Sequence, residues 1–457
     1  MAVQQRTGNP IKQNPLTTKP IAGLIRQIAL PVGIGIFFYT MFNVVDTYYG
    51  GLISNEALAA LSLSFPIYFI IVAVAYGLSI GNTALIGNAL GANNRAQAER
   101  YAVQGIVFAL MLALCITVIG VTFSPFLFGL LGASDDYLAM SLSYMNPIFY
   151  GTIFFVMVQM LNAVLNAIGN TKPNRNFLIS GFLLNLLLDP WFIFGGVGVP
   201  AMGITGIALA TILVQALGGL YLAYEVAKSG MITIESLRRY VWPQAAVIGQ
   251  ISRQGLPNII DLSSLSIGFF MLIFFISRFG QEAVAAFGAA TRIEQVAILP
   301  MLALDVATLS LIAQNNGAGL PQRVKKTFDT AIRYGLIIML IGAILIALFA
   351  TLLMDIFSDD PQVIGIGATY IRIKALALLP IPFILLSFSA MRALKKPFHA
   401  LVLSMSRMVV LPLIGIFILV QLMGFGLLAI WWVMTASSFL VSFIAYFHAK
   451  RLLPRID

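Results

Sequence analysis

The stretch Leu183-Leu184-Asn185-Leu186-Leu187-Leu188-Asp189-Pro190-Trp191 places a carboxylate inside an apolar run that is long enough to cross a membrane. Residues four apart share one face of a helix, so Asn185 and Asp189 are predicted to point the same way. An acidic side chain at membrane depth costs roughly 2.5–3.5 kcal/mol on insertion scales, so it tends to face a bundle interior and to handle ions or substrate. The alternatives are a carboxylate that snorkels to the interface near a helix end, or a structural polar contact between helices.

The composition is that of an integral membrane protein. Hydrophobic residues make up 60% of the 457 residues and charged residues only 10%, far from the soluble average. The net charge of +10 does not indicate a nucleic-acid partner, because the basic residues lie in short loops between apolar runs. The only cysteine is Cys115, so an internal disulfide is excluded, and a cysteine-based zinc site is not expected. A phosphate-cradling Gly-x-x-x-x-Gly-Lys-Ser/Thr loop is absent, which argues against an ATP-driven pump.

Apolar runs of about 20 residues predict about twelve membrane-spanning helices and hence an all-α integral membrane protein. The predicted spans are 24–50, 57–86, 101–127, 138–165, 175–197, 203–227, 249–277, 283–313, 328–354, 364–391, 398–422 and 426–447. The predicted domains are an N-terminal tail (1–23), an N-lobe of six spans (24–228), a linker (229–247), a C-lobe of six spans (248–450) and a C-terminal tail (451–457).

The basic residues predict the orientation. Of the 27 lysines and arginines, only Arg278 falls in a loop on the opposite side from the chain ends, and four lie in or near spans (Arg292, Arg372, Lys374 and Arg407). By the positive-inside rule both termini, the linker and the basic loops, including that of Arg392, are cytoplasmic. The first 20 residues lack the apolar core of a signal peptide, so we expect a retained tail and a multi-pass protein of the inner (plasma) membrane.

The chain repeats itself with an offset of 226 residues. Leu30-Pro31 and Leu256-Pro257 open the first and seventh spans, and Gly91-Ala92 and Gly317-Ala318 follow the second and eighth. Six spans per copy is an even number, so both copies run the same way through the bilayer as a parallel repeat. Two six-helix bundles around a central cleft are typical of secondary transporters.

Four polar residues are predicted to reach similar depth in the outer half of the N-lobe: Asp46, Asn185, Asp189 and Thr211. A kink at Pro31 would help to bring Asp46 to that depth. Two carboxylates that lie close together cannot both ionise cheaply, so the pair can hold a proton, or a hard cation among oxygen ligands. The alternatives are an interfacial carboxylate for Asp46 and a helix-packing hydroxyl for Thr211.

Other polar residues within the spans have weaker claims on function. Gln159 and Asn162 are expected to make interhelical hydrogen bonds, with a secondary substrate contact as the alternative. The mixed charges of the C-lobe are expected to form ion pairs between helices, with a second coupling site or an anion-binding surface as the alternative; they are Asp261, Arg292, Glu294, Asp305, Arg372, Lys374 and Arg407. Tyr39 and Asn43, in the span of Asp46, are candidate secondary contacts, as are Asp261, Arg292 and Glu294. Neither His399 nor His448 lies at a span centre, so a proton relay must use carboxylates.

Together these motifs resemble the multidrug and toxic compound extrusion (MATE) family over essentially the whole chain. The motifs are Ala29-Leu30-Pro31, Val45-Asp46-Thr47, Gly87-Asn88-Ala89-Leu90-Gly91-Ala92, Leu165-Asn166-Ala167-Ile168-Gly169-Asn170-Thr171, Asn185-x-x-x-Asp189-Pro190 and Gly203-Ile204-Thr205-Gly206. The resemblance implies a V-shaped pair of six-helix bundles that exports amphipathic, mostly cationic drugs and toxic compounds in exchange for H⁺ or Na⁺. We expect no enzyme activity, no cofactor and no obligatory protein partner. Membrane lipid is an expected partner.

The sequence is most similar to the DinF-like branch of that family. The resemblance implies coupling at Asp46, Asn185, Asp189 and Thr211, and a first span that bends at Pro31. Another branch carries a glutamate where this chain has Leu265, and a tenth-span acid that is absent from 375–390, which argues against a C-lobe coupling site of that kind.

Two other functions remain as alternatives to an efflux antiporter. A flippase for a lipid-linked phosphate or pyrophosphate precursor could use Arg292, Arg372, Lys374 and Arg407 as a phosphate-binding set. Such a flippase would be expected to lack the Asn185-x-x-x-Asp189 and Gly91-Ala92 signatures. A receptor or scaffold without transport activity would leave the intramembrane charges without a task.

Overall fold

The computed structural model describes residues 14–130, 133 and 135–454, and it is all-helical apart from one isolated bridge between Gly196 and Val199. The helices of the first half are α1 (Pro15–Thr18), α2 (Ile21–Ile53), α3 (Asn55–Gly91), α4 (Arg95–Leu130), α5 (Asp135–Tyr150), α6 (Thr152–Ala167), α7 (Lys172–Phe194), α8 (Ile204–Lys228) and α9 (Ile234–Tyr240). Those of the second half are α10 (Ala245–Ile276), α11 (Gln281–Gly317), α12 (Pro321–Leu348), α13 (Ala350–Asp355), α14 (Pro361–Leu378), α15 (Ile381–Ala393), α16 (Pro397–Met405), α17 (Leu411–Ile416) and α18 (Leu427–Leu452).

Ten helices in the described ranges are long and apolar enough to span a membrane, and two bent pairs bring the number to twelve. The bent pairs are α5 with α6, at 46°, and α14 with α15, at 50°. Prolines explain both bends, because Pro147 lies inside the last turns of α5 and Pro380 precedes α15. The prediction of twelve spans is confirmed, but the fourth and tenth are bent rather than continuous.

The helices extend beyond the predicted apolar spans. The helix α2 begins at Ile21, within the predicted tail, and α10 begins at Ala245, within the predicted linker, which also contains α9. Hydrophobicity marks only the part of a helix that lies in hydrocarbon, whereas the helical hydrogen bonds continue into polar turns. The predicted tail residues 1–13 and 455–457 lie outside the described residues.

The eleventh span, predicted as one regular helix, contains π-helical segments at Ser406–Val410 and Phe417–Leu422. Pro412 lacks an N–H and so leaves the carbonyl of Met408 without its helical donor. Gly268 of α10 lies against that carbonyl, since a Cβ atom added there would be 2.8 Å from the Met408 oxygen. A proline and a close-packed glycine together account for the irregular turn.

Among the described residues, the two lobes share a buried core toward one end of the molecule. One cluster combines N-lobe residues such as Ile25 and Ala84 with C-lobe residues such as Leu304 and Ala313. All of these lie toward the helix ends at which the predicted cytoplasmic loops meet, which we call the inner end. Toward the outer end, each lobe has a separate cluster, one around Phe149 and one around Trp431. The lobes therefore join at the inner end and separate toward the outer end, as in a V.

Four side-chain and backbone groups hold the inner end together in a symmetric way. Asn88 Nδ2 donates to the carbonyl of Ala393 (2.8 Å), and Gln314 Nε2 donates to the carbonyl of Ala167 (2.5 Å). A shift of 226 residues turns Asn88 into Gln314 and Ala167 into Ala393, so the two bonds are copies of each other. We call these four residues the cross-lobe clamp.

Two glycines allow the lobes to approach this closely. A Cβ atom at Gly91 would overlap the backbone of Gln314, and one at Gly317 would overlap the backbone of Asn88. Asn316 Nδ2 also donates to Asn88 Oδ1 (2.6 Å). The Gly-Ala motifs that reveal the repeat in the sequence are thus positions where backbone meets backbone between lobes.

Candidate cation-coupling site

A helical hairpin and the end of α2 bring the predicted site residues to one level. The α7–α8 connection is a glycine-rich turn in which Gly195 has a φ of +78° and the Gly196 N–H donates to the Val199 carbonyl (2.9 Å). Asp189 lies five residues before the end of α7, Thr211 seven after the start of α8, and Asp46 seven before the end of α2. At 1.5 Å per residue, all three lie roughly 8–11 Å from the outer helix ends.

The structure brings together all four residues that the sequence singles out in the N-lobe. Thr211 Oγ1 donates to Asp46 Oδ2 (3.4 Å), and Asn185 Nδ2 donates to Asp189 Oδ1 (2.9 Å). The carboxyl group of Asp46 also lies beside the side chains of Asn185 and Asp189. Asn185 and Asp189 are 0% exposed, whereas Asp46 is half-buried. A continuous α2 places Asp46 here, and it runs through Pro31 without a break; bending at Pro31 stays a prediction.

Three oxygen atoms in this cluster have no hydrogen-bond donor among the described residues: Asp46 Oδ1, Asn185 Oδ1 and Asp189 Oδ2. Buried polar atoms are almost always paired, because an unpaired one costs about 1–3 kcal/mol. A proton on one carboxyl group supplies a donor, and a small cation supplies a charge that several oxygens can share. Either occupant also removes the repulsion between two carboxylates in a low-dielectric setting.

Aromatic side chains lie on the inner side of this cluster, and most of them were not expected from the sequence. Tyr39, a predicted secondary contact, lies beside Tyr68 of α3. Both tyrosines line a small cavity together with Phe177 and Gln215. The volume that the centre of a water-sized sphere can occupy in this cavity is about 10 Å³. That volume accommodates roughly one water molecule. Gln215 could have been found, because it lies four residues from Thr211 on the same helix face; Tyr68 could not, since only tertiary packing brings it here.

The remaining predicted N-lobe contacts do not join the cluster. Asn43 Nδ2 donates to the Tyr39 carbonyl within α2 (2.8 Å). The side-chain oxygens of Gln159 and Asn162 on α6 have no hydrogen-bond partner in the described part of the chain. The interhelical hydrogen bonds expected for these two residues are therefore not present there.

The C-lobe contains a buried ion-pair triad that changes the assignment of Arg392. The charge pattern of the sequence predicts an inner-loop position for this arginine, but it is only 7% exposed, near the end of α15. Its Nη2 pairs with Asp261 Oδ2, and its Nη1 lies 3.8 Å from Asp305 Oδ1. Asp261, predicted as a candidate secondary contact or ion-pair partner, is thus an ion-pair partner here.

A second ion pair lies on the outer side of this triad. Lys374 Nζ is 3.1 Å from Glu294 Oε1, and Tyr370 Oη donates to Glu294 Oε2 (2.8 Å). Glu294 thus takes its partners from another helix, as its spacing from Arg292 indicated. Arg292 is exposed and has no carboxylate partner among the described residues. The Nε of Arg407, in the π-helical segment, is buried without an acceptor in that same part of the chain.

Comparison with known proteins shows that the chain is similar to several transport and resistance proteins. The chain is 31% identical over 404 residues to the FAD transporter of Shewanella oneidensis, covering 87% of this chain and 88% of that protein. It is 27% identical over 353 residues to the probable multidrug resistance protein NorM of Thermotoga maritima (77% and 75% covered). It is also 24% identical over 432 residues to the multidrug export protein MepA of Staphylococcus haemolyticus (93% of each). All three are named as transport or resistance proteins rather than enzymes.

Solved structures of related transporters have the same fold. A transporter of Pyrococcus furiosus, described as a MOP superfamily member whose binding pocket has reverse polarity, superposes with a TM-score of 0.89 at 26% identity. It covers 97% of this chain, and this chain covers 99% of it. A MATE structure in complex with MaD3S gives a TM-score of 0.90 at 25% identity over similar coverage. The MatE family profile matches twice, at residues 31–191 and 257–418, which is the predicted repeat. The chain therefore belongs to the MATE family of multi-pass membrane transporters.

Proposed function

We propose that this protein is a secondary antiporter that exports small amphipathic compounds, mainly cationic, in exchange for H⁺ or Na⁺. The observation that carries the proposal is the set of three buried oxygens on Asp46, Asn185 and Asp189 that have no hydrogen-bond donor in the described part of the chain. Secondary transport needs a site that holds a cation in one state and is stable without it in another. Two carboxylates, an amide and the hydroxyl of Thr211 in one buried cluster meet that need.

The charge of the cluster provides the coupling. With a proton or Na⁺ bound, the two carboxylates have at most one net negative charge, which is tolerable at membrane depth. Without it, two negative charges attract an organic cation into the cleft. The two cations therefore compete, and each weakens the affinity for the other by the same factor. Exchange across the membrane follows if the lobes alternate between an outer-open and an inner-open state of different affinity.

The proposed orientation follows from charge in the loops. The described inner end includes Arg95, Lys172, Lys325 and Lys396, so the positive-inside rule would place it in the cytoplasm. The present conformation, joined at the inner end, would then be open toward the outside. The coupling cluster, near the outer helix ends, would load its cation from the outside in this state.

The test is transport in liposomes. We would reconstitute the protein and measure efflux of a cationic dye under an imposed pH gradient or an imposed Na⁺ gradient, with Asp46→Asn alongside. The matched control is Asp359→Asn, which removes an exposed carboxylate outside the cluster. Asp46→Asn should fold normally and lose gradient-driven efflux, while Asp359→Asn should keep it.

The outcomes of that experiment distinguish the two coupling ions and test the role of Asp46. Flux driven by the pH gradient and lost in Asp46→Asn supports a proton antiporter, and flux driven only by Na⁺ supports a Na⁺ site at the same residues. Full activity of Asp46→Asn under both gradients would remove Asp46 from the mechanism. No dye flux under either gradient would overturn cation export.

The flippase alternative has less support than it had from the sequence. Of its four basic residues, Lys374 pairs with Glu294, and Arg372 Nη2 donates to Thr351 Oγ1 (3.1 Å). Arg292 remains without a carboxylate partner in the described ranges. A second candidate function uses that arginine: export of a soluble organic anion that contains phosphate. The relative named as an FAD transporter favours this candidate.

A further inference from the structure

The helix α11 presents a continuous exposed stripe in the outer half of the C-lobe. Ala285, Arg292, Gln295 and Val296 are exposed, while Ile293 between them is buried. Residues 285, 292 and 296 share one face of a helix by the 3.6-residue period, and Gln295 lies beside it. An arginine that faced lipid at this depth would cost roughly 2.5–3.5 kcal/mol, so we infer that the stripe faces the cleft between the lobes.

The last close contact between α2 and α11 fixes the level of this stripe. Gly33 and Ala303 face each other, with 3.5 Å between the Ala303 Cβ and the place of a Cβ on Gly33. The two helices run in opposite directions, so ten residues outward from this contact lie Asn43 on α2 and Ile293 on α11. Arg292 and Asn43 are therefore level across the cleft, about 15 Å above its floor. Asp46 lies one turn further out on α2.

The two walls of the cleft differ in charge. On the C-lobe wall, Lys374 neutralises Glu294 (3.1 Å), and the exposed Arg292 guanidinium has no carboxylate partner among the described residues. On the N-lobe side, the half-buried Asp46 and the fully buried Asp189 behind it are both acidic and have no basic partner among the described residues. A cation is therefore favoured on one side and an anion on the other.

We propose that Arg292, with Gln295 and Asn43, binds the phosphate or pyrophosphate group of an amphipathic organic anion in the cleft. An arginine guanidinium donates two parallel hydrogen bonds to phosphate oxygens, and the two amides add neutral donors. FAD has this chemistry, as does a polyprenyl pyrophosphate lipid. The inference rests on the proposed export function but uses a wall of the cleft that the cation-coupling cluster does not occupy.

The opposite charges of the two walls make the inference specific. Removal of the Asp46 charge should strengthen anion binding and weaken binding of an organic cation, because the carboxylate repels one and attracts the other. Removal of the Arg292 charge should weaken anion binding and leave binding of an organic cation unchanged or stronger. A merely structural role for either residue would weaken both ligands together.

The experiment measures binding to the full-length protein in nanodiscs. Three probes are titrated separately: FAD, a polyprenyl pyrophosphate supplied in the lipid, and ethidium as the cationic comparison. The variants are Arg292→Gln, which removes the charge, and Arg292→Lys, which keeps the charge but loses the planar fork. The matched control is Arg278→Gln, since Arg278 is exposed at the outer end of the same lobe and stacks on Phe274 (4.8 Å).

We expect Arg292→Gln to weaken pyrophosphate binding roughly 10- to 100-fold, the usual effect of losing hydrogen bonds to a charged group. Arg292→Lys should lie between that variant and wild type, and Arg278→Gln should match wild type. Ethidium binding should be unchanged or tighter in Arg292→Gln. Loss of FAD binding assigns the site to a soluble anion, and loss of the polyprenyl pyrophosphate alone assigns it to a lipid.

Two results would overturn the inference. One is pyrophosphate binding that is absent in wild type or equal in Arg292→Gln and Arg278→Gln. The other is a parallel loss of ethidium in Arg292→Gln. Gradient-driven dye efflux by Arg292→Gln is measured alongside, so a failure of this inference is distinguishable from a failure of cation coupling at Asp46.

Discussion

Truncation of one residue in the cross-lobe clamp should open the inner end of the transporter. Gln314 is 2% exposed, and its Nε2 donates to the buried carbonyl of Ala167 (2.5 Å), while its Oε1 accepts from Asn14 Nδ2 (2.5 Å). Gln314→Ala removes the donor and leaves that carbonyl buried without one as long as the lobes stay closed. Such an unpaired group costs about 1–3 kcal/mol, and water satisfies it once the lobes part. The ratio of inner-open to inner-closed molecules should therefore rise roughly 5- to 150-fold.

The assay reads access to the contact between the lobes. Cys115 is the only cysteine, so a Cys115→Ala background with Ala303→Cys provides one thiol at the buried contact with Gly33. The rate of maleimide labelling from the inner side should rise in proportion to the inner-open population. The matched control is Asn258→Ala, which truncates an equally buried amide that donates within its own helix (2.7 Å).

The reasoning is refuted if Gln314→Ala labels no faster than Asn258→Ala. The symmetric variant Asn88→Ala should raise labelling as well, because Asn88 makes the copy of the same bond to Ala393. The double variant should exceed either single one, although neighbouring sites need not add their effects.

Two further predictions concern packing of the inner half. Arg392→Met leaves the carboxylates of Asp261 and Asp305 buried without their cation, so we expect a loss of about 3–5 kcal/mol in stability, seen as a lower melting temperature in detergent. Adding Asp261→Asn and Asp305→Asn should recover most of it, and a failure to recover would contradict the ion-pair explanation. Gly317→Ala would overlap the backbone of Asn88, so we expect a folded protein with strongly reduced dye efflux; normal efflux would show that the lobes need not approach so closely.

The sequence predicts the N-lobe cluster well because local rules suffice for it. Asn185 and Asp189 follow from helical spacing, and the depth of Asp46 and Thr211 follows from counting residues from the span ends. The count from the inner end was too short for Asp46, since α2 begins at Ile21 rather than at residue 24, but the level was right. Membrane spans make such counting possible because their ends are tied to the bilayer.

The C-lobe triad could not be predicted in this way. Arg392 lies just before Lys395 and Lys396, so its charge resembles that of an inner loop. Its burial depends on Asp261, which is 131 positions away in the chain, and on Asp305. No local pattern encodes a partner at such a distance, and only the packing of α15 against α10 and α11 reveals it.

The repeat preserves the contact between the lobes but not the four-residue cluster of the N-lobe. The cross-lobe clamp survives a shift of 226 residues, because both lobes must meet at one symmetric contact. The proposed coupling cluster is not preserved by this shift: Asp46 corresponds to Leu272, and Asp189 corresponds to Gly415. A duplicated pair of acids would add two more charges to desolvate, whereas one cluster suffices if the lobes move as rigid bodies about the clamp. The C-lobe has no acid at the two positions that match Asp46 and Asp189 and exposes Arg292 on α11 instead, so a chain with internal symmetry can carry different charges on the two sides of its cleft.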